Sequence, residues 1–250
     1  MSLELTATLC VAFFVVATLY STVGHAGASG YLAVMALASV APEVMRPSAL
    51  ALNILVATVT VYRFHRARFV FWNNLWPFLL GSVPLAAVGG SISLPRSGYY
   101  ALVGAVLLFS AGYLAWRAFS RKLPTPEREL KVKRLPAVLI GAVIGLLSGL
   151  TGVGGGIFLS PVLLIFNWAA PRTTAGISAP FILVNSCVAL AAGSLSVQRI
   201  PAELPWLAAA ALAGAVIGTW LGLQKLDQRG LLLVLAVVMT LAGTKLLFLA

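Results

Sequence analysis

Apolar runs of roughly 20 residues, the length that crosses a bilayer, recur along almost the whole chain with only short loops between them. That pattern decides what the chain can fold into. A water-soluble domain needs polar side chains to cover its surface, and a chain with 60% hydrophobic and 9% charged residues has too few. The sequence therefore reads as an integral membrane protein with apolar material for about eight to ten segments. The first run, Leu3 to Tyr20, has no basic leader, carries Glu4 and is longer than a signal-peptide core, so it is expected to be a retained first helix.

The net charge of +11 is concentrated in three places: Arg63, Arg66 and Arg68; the run from Arg117 to Arg134; and Lys225 with Arg229. This is the distribution of cytoplasmic loops under the positive-inside rule, facing anionic headgroups. Nucleic acid is not an expected partner, whereas the lipid bilayer is. Cys10 and Cys187 lie in apolar segments without ligand-type neighbours, so neither a disulfide framework, a metal site nor a cofactor is expected.

The polar stretch around Ser120 to Arg134 divides the chain into nearly equal halves, and the halves match. Gly24 and Gly27 answer to Gly152 and Gly155, Arg46 to Arg172, Leu75-Trp-Pro to Leu204-Pro-Trp, and Ala111-Gly112 to Ala242-Gly243, always 126 to 131 residues apart. Each half offers five apolar segments, at 3–22, 25–41, 47–62, 73–94 and 98–119, then at 136–151, 155–168, 172–195, 203–223 and 230–249. An odd number of crossings turns the second half upside down. The expected architecture is thus an all-α polytopic membrane protein of two inverted-topology repeats, each with about five apolar segments including a short glycine-interrupted or re-entrant one. Residues 1–119 form the N-terminal repeat, 120–135 a basic cytoplasmic linker, and 136–250 the C-terminal inverted repeat. Both termini are then extracytoplasmic, with Arg46, Arg96, Arg199 and Lys245 on the outer side.

Broken backbone at membrane depth survives only when buried in protein or facing a wet cavity. Two breaks in corresponding places point to a shared cavity, and the positive end of the helix restarting after each break makes it an anion cradle. Gly24, Gly27, Gly152, Gly154, Gly155 and Gly156 are its candidate backbone. Gly104, Gly112, Gly141, Gly145, Gly214 and Gly218 are expected to serve close helix packing.

Gly152-Val-Gly-Gly-Gly-Ile-Phe-Leu-Ser-Pro161, preceded by Leu147-Ser-Gly-Leu-Thr151 and followed by Arg172-Thr-Thr-Ala-Gly-Ile-Ser178, resembles the signature of the TauE/SafE family of sulfite exporters, also called the TSUP family. The resemblance covers essentially the whole chain. It implies a carrier of sulfite or an organosulfonate such as sulfoacetate in a bacterial or archaeal cytoplasmic (inner) membrane. The first half departs from the glycine-rich pattern, with His25, Ala26 and Ala28 where the second has Val153, Gly154 and Gly156. The cradle is remodelled on that side.

Among side chains, His25 at the first break is a candidate for substrate or proton binding. Arg46 and Arg172, each near the start of a third segment, offer guanidinium forks for an oxyanion. Thr22, Ser29, Asn53, Thr151, Ser178 and Asn185 are polar residues in apolar segments that could bond substrate oxygens or act as interhelical glue. All six acidic residues, Glu4, Glu43, Glu127, Glu129, Glu203 and Asp227, fall at segment ends or in loops. Anion uniport down an inside-negative potential is then a consistent mechanism, with proton coupling through His25 left open.

Two alternatives stay in view: a non-transporting membrane subunit or receptor, and an intramembrane serine protease using Ser29 of Gly27-Ala-Ser29-Gly30, which resembles the rhomboid nucleophile motif. The protease lacks a histidine on a later membrane segment. The expected partners are a small anion, the bilayer and, as an open alternative, a second copy of the chain.

Overall fold

The computed structural model describes residues 3–119, 132–166, 168–193, 201–223 and 229–250. Ten helices account for nearly all of it: α1 (Leu3–Thr22), α2 (Ala28–Leu37), α3 (Pro42–Arg66), α4 (Trp72–Ser91), α5 (Arg96–Phe119), α6 (Arg134–Thr151), α7 (Gly156–Ile165), α8 (Pro171–Gly193), α9 (Leu204–Leu223) and α10 (Arg229–Leu249). Among the described residues, six helices are long and apolar enough to cross a membrane. The protein is an all-α polytopic membrane protein. Residues 120–131 of the expected linker, with Glu127 and Glu129, lie outside the described residues, as do Arg199, Lys225 and Asp227.

The ten segments read from hydropathy are the ten helices, with shifted ends. Helix α3 starts five residues earlier than expected, at Pro42 in the first helical position, where a missing N–H costs nothing. Pro47 falls in its second turn and deprives only the Glu43 carbonyl of a partner. The second segment of each half is shorter than expected. Helices α2 and α7 are ten residues each, about 15 Å at 1.5 Å per residue, or half a hydrocarbon core.

The two halves are interleaved. Helix α1 packs on α9, α4 on α6, α5 on α10 and α3 on α8, so the main helix pairs all join the halves. Glycine makes these contacts close. A Cβ on Gly141, Gly145 or Gly149 of α6 would overlap the backbone of Phe78, Ser82 or Ala86 on α4, and one on Gly214, Gly218 or Gly222 of α9 would overlap Phe14, Thr18 or Thr22 on α1. Gly104 and Gly243 face each other between α5 and α10, each built Cβ 3.0 Å from the other's carbonyl oxygen. Without a hydrophobic drive between helices in lipid, such backbone approach supplies the van der Waals contact that holds them. Around Gly112, by contrast, none of the described residues comes within 4 Å of a Cβ.

Basic residues gather at one end of the bundle. The Arg172 guanidinium at the start of α8 lies 5.8 Å over the Phe69 ring in the α3–α4 loop, and Arg134 at the start of α6 lies 5.6 Å over Trp76 near the start of α4. Arg63, Arg66 and Arg68 belong to the same end. Large apolar side chains such as Val11, Leu80, Leu139, Trp206 and Trp220 point outward, as a lipid-facing surface requires.

Candidate functional site

Both breaks are built around left-handed glycines. Helix α1 ends with Gly24 in the left-handed region (φ 78°), the Gly24 amide donating to the Ser21 carbonyl (3.2 Å) and the His25 amide to that of Tyr20 (3.0 Å), a Schellman cap. Helix α6 ends with Gly152 at φ 83°, its amide 2.9 Å from the Ser148 carbonyl. Each short helix then starts from a left-handed glycine N-cap, Gly27 (φ 99°) for α2 and Gly155 (φ 83°) for α7. These backbone angles favour glycine because an L side chain collides with its own carbonyl there. Neither N-cap supplies a side-chain hydrogen bond, so the positive ends of α2 and α7 carry no capping oxygen.

Each break is cradled by the other half. A Cβ on Gly24 would overlap Ala175 of α8, while one on Gly152 would press on Arg46 of α3 at 3.1 Å. His25 joins the two directly. Its Nε2 lies 2.9 Å from the Ser160 hydroxyl and 3.1 Å from the Gly156 carbonyl oxygen, both on α7, and its Nδ1 lies 3.2 Å from the Val23 carbonyl oxygen. Ser160 continues the chain to Ser178 of α8 at 3.0 Å. From α5, the buried Tyr113 hydroxyl has no hydrogen bond of good geometry, yet lies next to Ser160 and Arg117. Arg117 is half-buried and close enough to interact electrostatically with both Tyr113 and His25. One histidine, one arginine, one tyrosine and two serines from four stretches of chain thus converge beside the start of α7.

A second polar group lies on the other side of the second break. The Asn53 amide donates to the Val153 carbonyl (3.2 Å) and to the Ser186 hydroxyl (3.3 Å), and a Cβ on Gly154 would sit 2.5 Å from that amide nitrogen. The carbonyl oxygens of Asn53 and Asn185 are buried without partners, as are the hydroxyls of Ser21, Ser148 and Thr174. Such orphaned acceptors and donors cost roughly 1–3 kcal/mol each.

The remaining candidates divide. His25, Gly156 and Ser178 lie where the two breaks meet, and Asn53 sits against Gly154 at the second break, whereas Gly24 packs on Ala175, Gly152 on Arg46, Gly27 on Tyr31 and Val16, and Gly155 on Phe181 and Ile144. Ser29 pairs with the Tyr20 hydroxyl (3.0 Å), which itself donates to the Met239 sulfur (3.2 Å). Thr22, Thr151 and Asn185 bond back to carbonyls of their own helices, of Leu19, Leu147 and Phe181. Arg46, itself buried, spends its guanidinium on the carboxyl end of α4, donating to Gly89 (2.8 Å), Gly90 (2.5 Å) and Ile92 (2.8 Å). That is the negative end of a helix dipole, a satisfying place for a cation. Arg172 is exposed among the basic loops; among the described residues it has a 3.5 Å contact to the Leu223 carbonyl and the Phe69 ring below it. Ser160, Tyr113, Arg117, Tyr20 and Ser186 were not singled out from the sequence. Ser160 stands inside the glycine-rich signature, four residues after Gly156, which was the available signal.

The description of sulfite exporter TauE/SafE matches residues 9–246 of this chain. The chain belongs to the TauE/SafE family. It is 42% identical over 241 residues to a probable membrane transporter protein of Sinorhizobium fredii, covering 96% of this chain and 97% of that relative. A probable membrane transporter protein of Methanocaldococcus jannaschii is 35% identical over 74 residues, which is 30% of this chain and 26% of that relative. No solved structure matches. The protein is therefore a multi-pass membrane transporter and not an enzyme. In keeping with this, Ser29 is hydrogen-bonded to Tyr20, while both His25 nitrogens are engaged elsewhere.

Proposed function

We propose that this TauE/SafE transporter exports a small sulfur-containing anion, sulfite or an organosulfonate such as sulfoacetate, across a cytoplasmic membrane by alternating access. The observation that carries this reading is the meeting of the two breaks: His25 from the first reaches Gly156 and Ser160 at the second. Around that contact lie the donors an oxyanion wants, namely the uncapped amino ends of α2 and α7, the hydroxyls of Ser160, Ser178 and Tyr113, and the Arg117 guanidinium. His25 is 4% exposed, and Ser160 and Ser178 are fully buried, so this conformation is shut to both sides. Opening is then assigned to rocking of the short helices against the interleaved pairs, which have no room to slide.

Arg117 replaces Arg46 and Arg172 as the guanidinium of the site. Flux from proteoliposomes tests the reading, with sulfite, sulfoacetate, taurine and sulfate as solutes. Saturable flux of sulfite or a sulfonate is expected, falling at least about tenfold in Arg117→Ala and in Ser160→Ala, as loss of one charge-assisted or buried hydrogen bond implies. Transport of another solute class with no sulfur anion moved would overturn the substrate, and unchanged flux in both variants would overturn the site.

A further inference from the structure

The surroundings of His25 contain more than an anion needs. Each ring nitrogen faces a backbone carbonyl oxygen, Nδ1 that of Val23 at 3.2 Å and Nε2 that of Gly156 at 3.1 Å. A neutral imidazole carries one N–H and one lone pair. Whichever tautomer it adopts, one lone pair is held against a carbonyl oxygen, a contact between two acceptors. The imidazolium donates to both. Ser160 makes the neutral form tenable as well, because its hydroxyl, 2.9 Å from Nε2, can donate to the bare nitrogen and turn toward Ser178, 3.0 Å away, when that nitrogen gains a proton. Two protonation states thus share one set of heavy-atom positions.

What decides between them is the neighbouring charge. The ring is faced from α1 by the edge of Tyr20 (6.4 Å between centroids), from α5 by Tyr113 and the positive Arg117, and from α7 and α8 by the hydroxyls of Ser160 and Ser178. From α3, Arg46 is turned onto the carbonyls of α4. The carboxylates among the described residues sit elsewhere: Glu4 and Glu43 in the first turns of α1 and α3, and Glu203 just before α9. A protonated His25 beside Arg117 therefore has no protein counter-ion within the described residues, and a buried cation without one is costly. The transported anion is the counter-ion that the described residues do not supply.

Resting on the anion-transport reading, we infer that His25 takes up a proton when the anion binds and releases it when the anion leaves, so that one proton travels with each anion. The proton comes from the aqueous phase on the side the anion enters, forms the second N–H bond of the ring, and returns to water on the side the anion exits. By linkage, whatever factor the proton adds to anion affinity, the anion adds to proton affinity. Transport of a monoanionic sulfonate is then electroneutral.

Calorimetric titration of the purified full chain tests this, with sulfoacetate, methanesulfonate and sulfite as probes. Run in buffers of different ionisation enthalpy between pH 5 and 8, where imidazole titrates, it counts the protons taken up per anion. Wild type should take up a proton with each sulfonate, approaching about one where the free protein is neutral at His25. His25→Gln should bind more weakly with no uptake. Ser160→Ala, which keeps both carbonyl acceptors, should retain the uptake even if its affinity falls, and serves if His25→Gln does not fold. Sulfonate binding by wild type without proton uptake at any pH in this range would overturn the inference and leave the anion site standing. Failure of every probe to bind would overturn the anion reading itself.

Discussion

At the scale of single residues, the glycines of the breaks and the glycines of the helix faces do different work, and substitution separates them. Gly154 has a φ of 80°, and a Cβ there would press on the Asn53 amide at 2.5 Å. The left-handed conformation alone costs an L residue roughly 1–2 kcal/mol, so Gly154→Ala should lower stability by about 2 kcal/mol or more. Gly112→Ala meets none of the described residues within 4 Å and should be neutral or stabilise by up to about 1 kcal/mol. Thermal unfolding in detergent reads both. Arg46→Ala should also lower the unfolding temperature, since it strips three carbonyls at the end of α4 of a charged donor, a loss of about 3 kcal/mol. Its KM for the anion should stay unchanged, which distinguishes a helix clasp from a substrate ligand. His25 and the break glycines were legible because they are anomalies inside apolar runs. Ser160, Tyr113 and Arg117 were not, since their significance is a contact: Ser160 meets His25 across 135 residues of chain. Arg117 looks in sequence like one more topology charge at a helix end.

At the scale of elements, the short helices are held by neighbours from both halves. Helix α2 leans on α10, where Lys245 donates to the carbonyls of Ala36 (3.0 Å) and Leu37 (2.9 Å) and to the Ser39 hydroxyl (3.0 Å). Ser39 itself sits in the left-handed region at φ 58°, which explains why α2 stops at Leu37 while the apolar run continues to Ala41. Lys245→Met removes this clamp from the negative end of the helix. Amide exchange across Ala28–Leu37 should then accelerate while α7 keeps its rate; equal rates in variant and wild type would show that the clamp does not hold α2. Segment existence followed from hydropathy alone, but segment ends did not. They depend on backbone angles at Gly27, Ser39 and Gly155 and on Pro42, and hydrophobicity carries no record of these.

At the scale of the whole molecule, the interleaving of halves is what brings two distant breaks together. The packing of α1 on α9 mirrors that of α4 on α6, each made close by glycines spaced four apart. This exchange supports the reading of two oppositely oriented repeats. The collection of Arg63, Arg66, Arg68, Arg134 and Arg172 at one end supports placing that end in the cytoplasm. Tags on both termini should accordingly be reached by membrane-impermeant reagents from outside intact cells, and a cytoplasmic location for either terminus would break the inverted arrangement. The central claim is that both breaks hold one anion between them. The most direct measurement is a crystal structure with 2-bromoethanesulfonate bound, locating the bromine by anomalous scattering. The peak is expected beside His25 and Ser160, near the amino ends of α2 and α7. A peak confined to Arg172 and the basic loops, with the junction of the breaks empty, would contradict it.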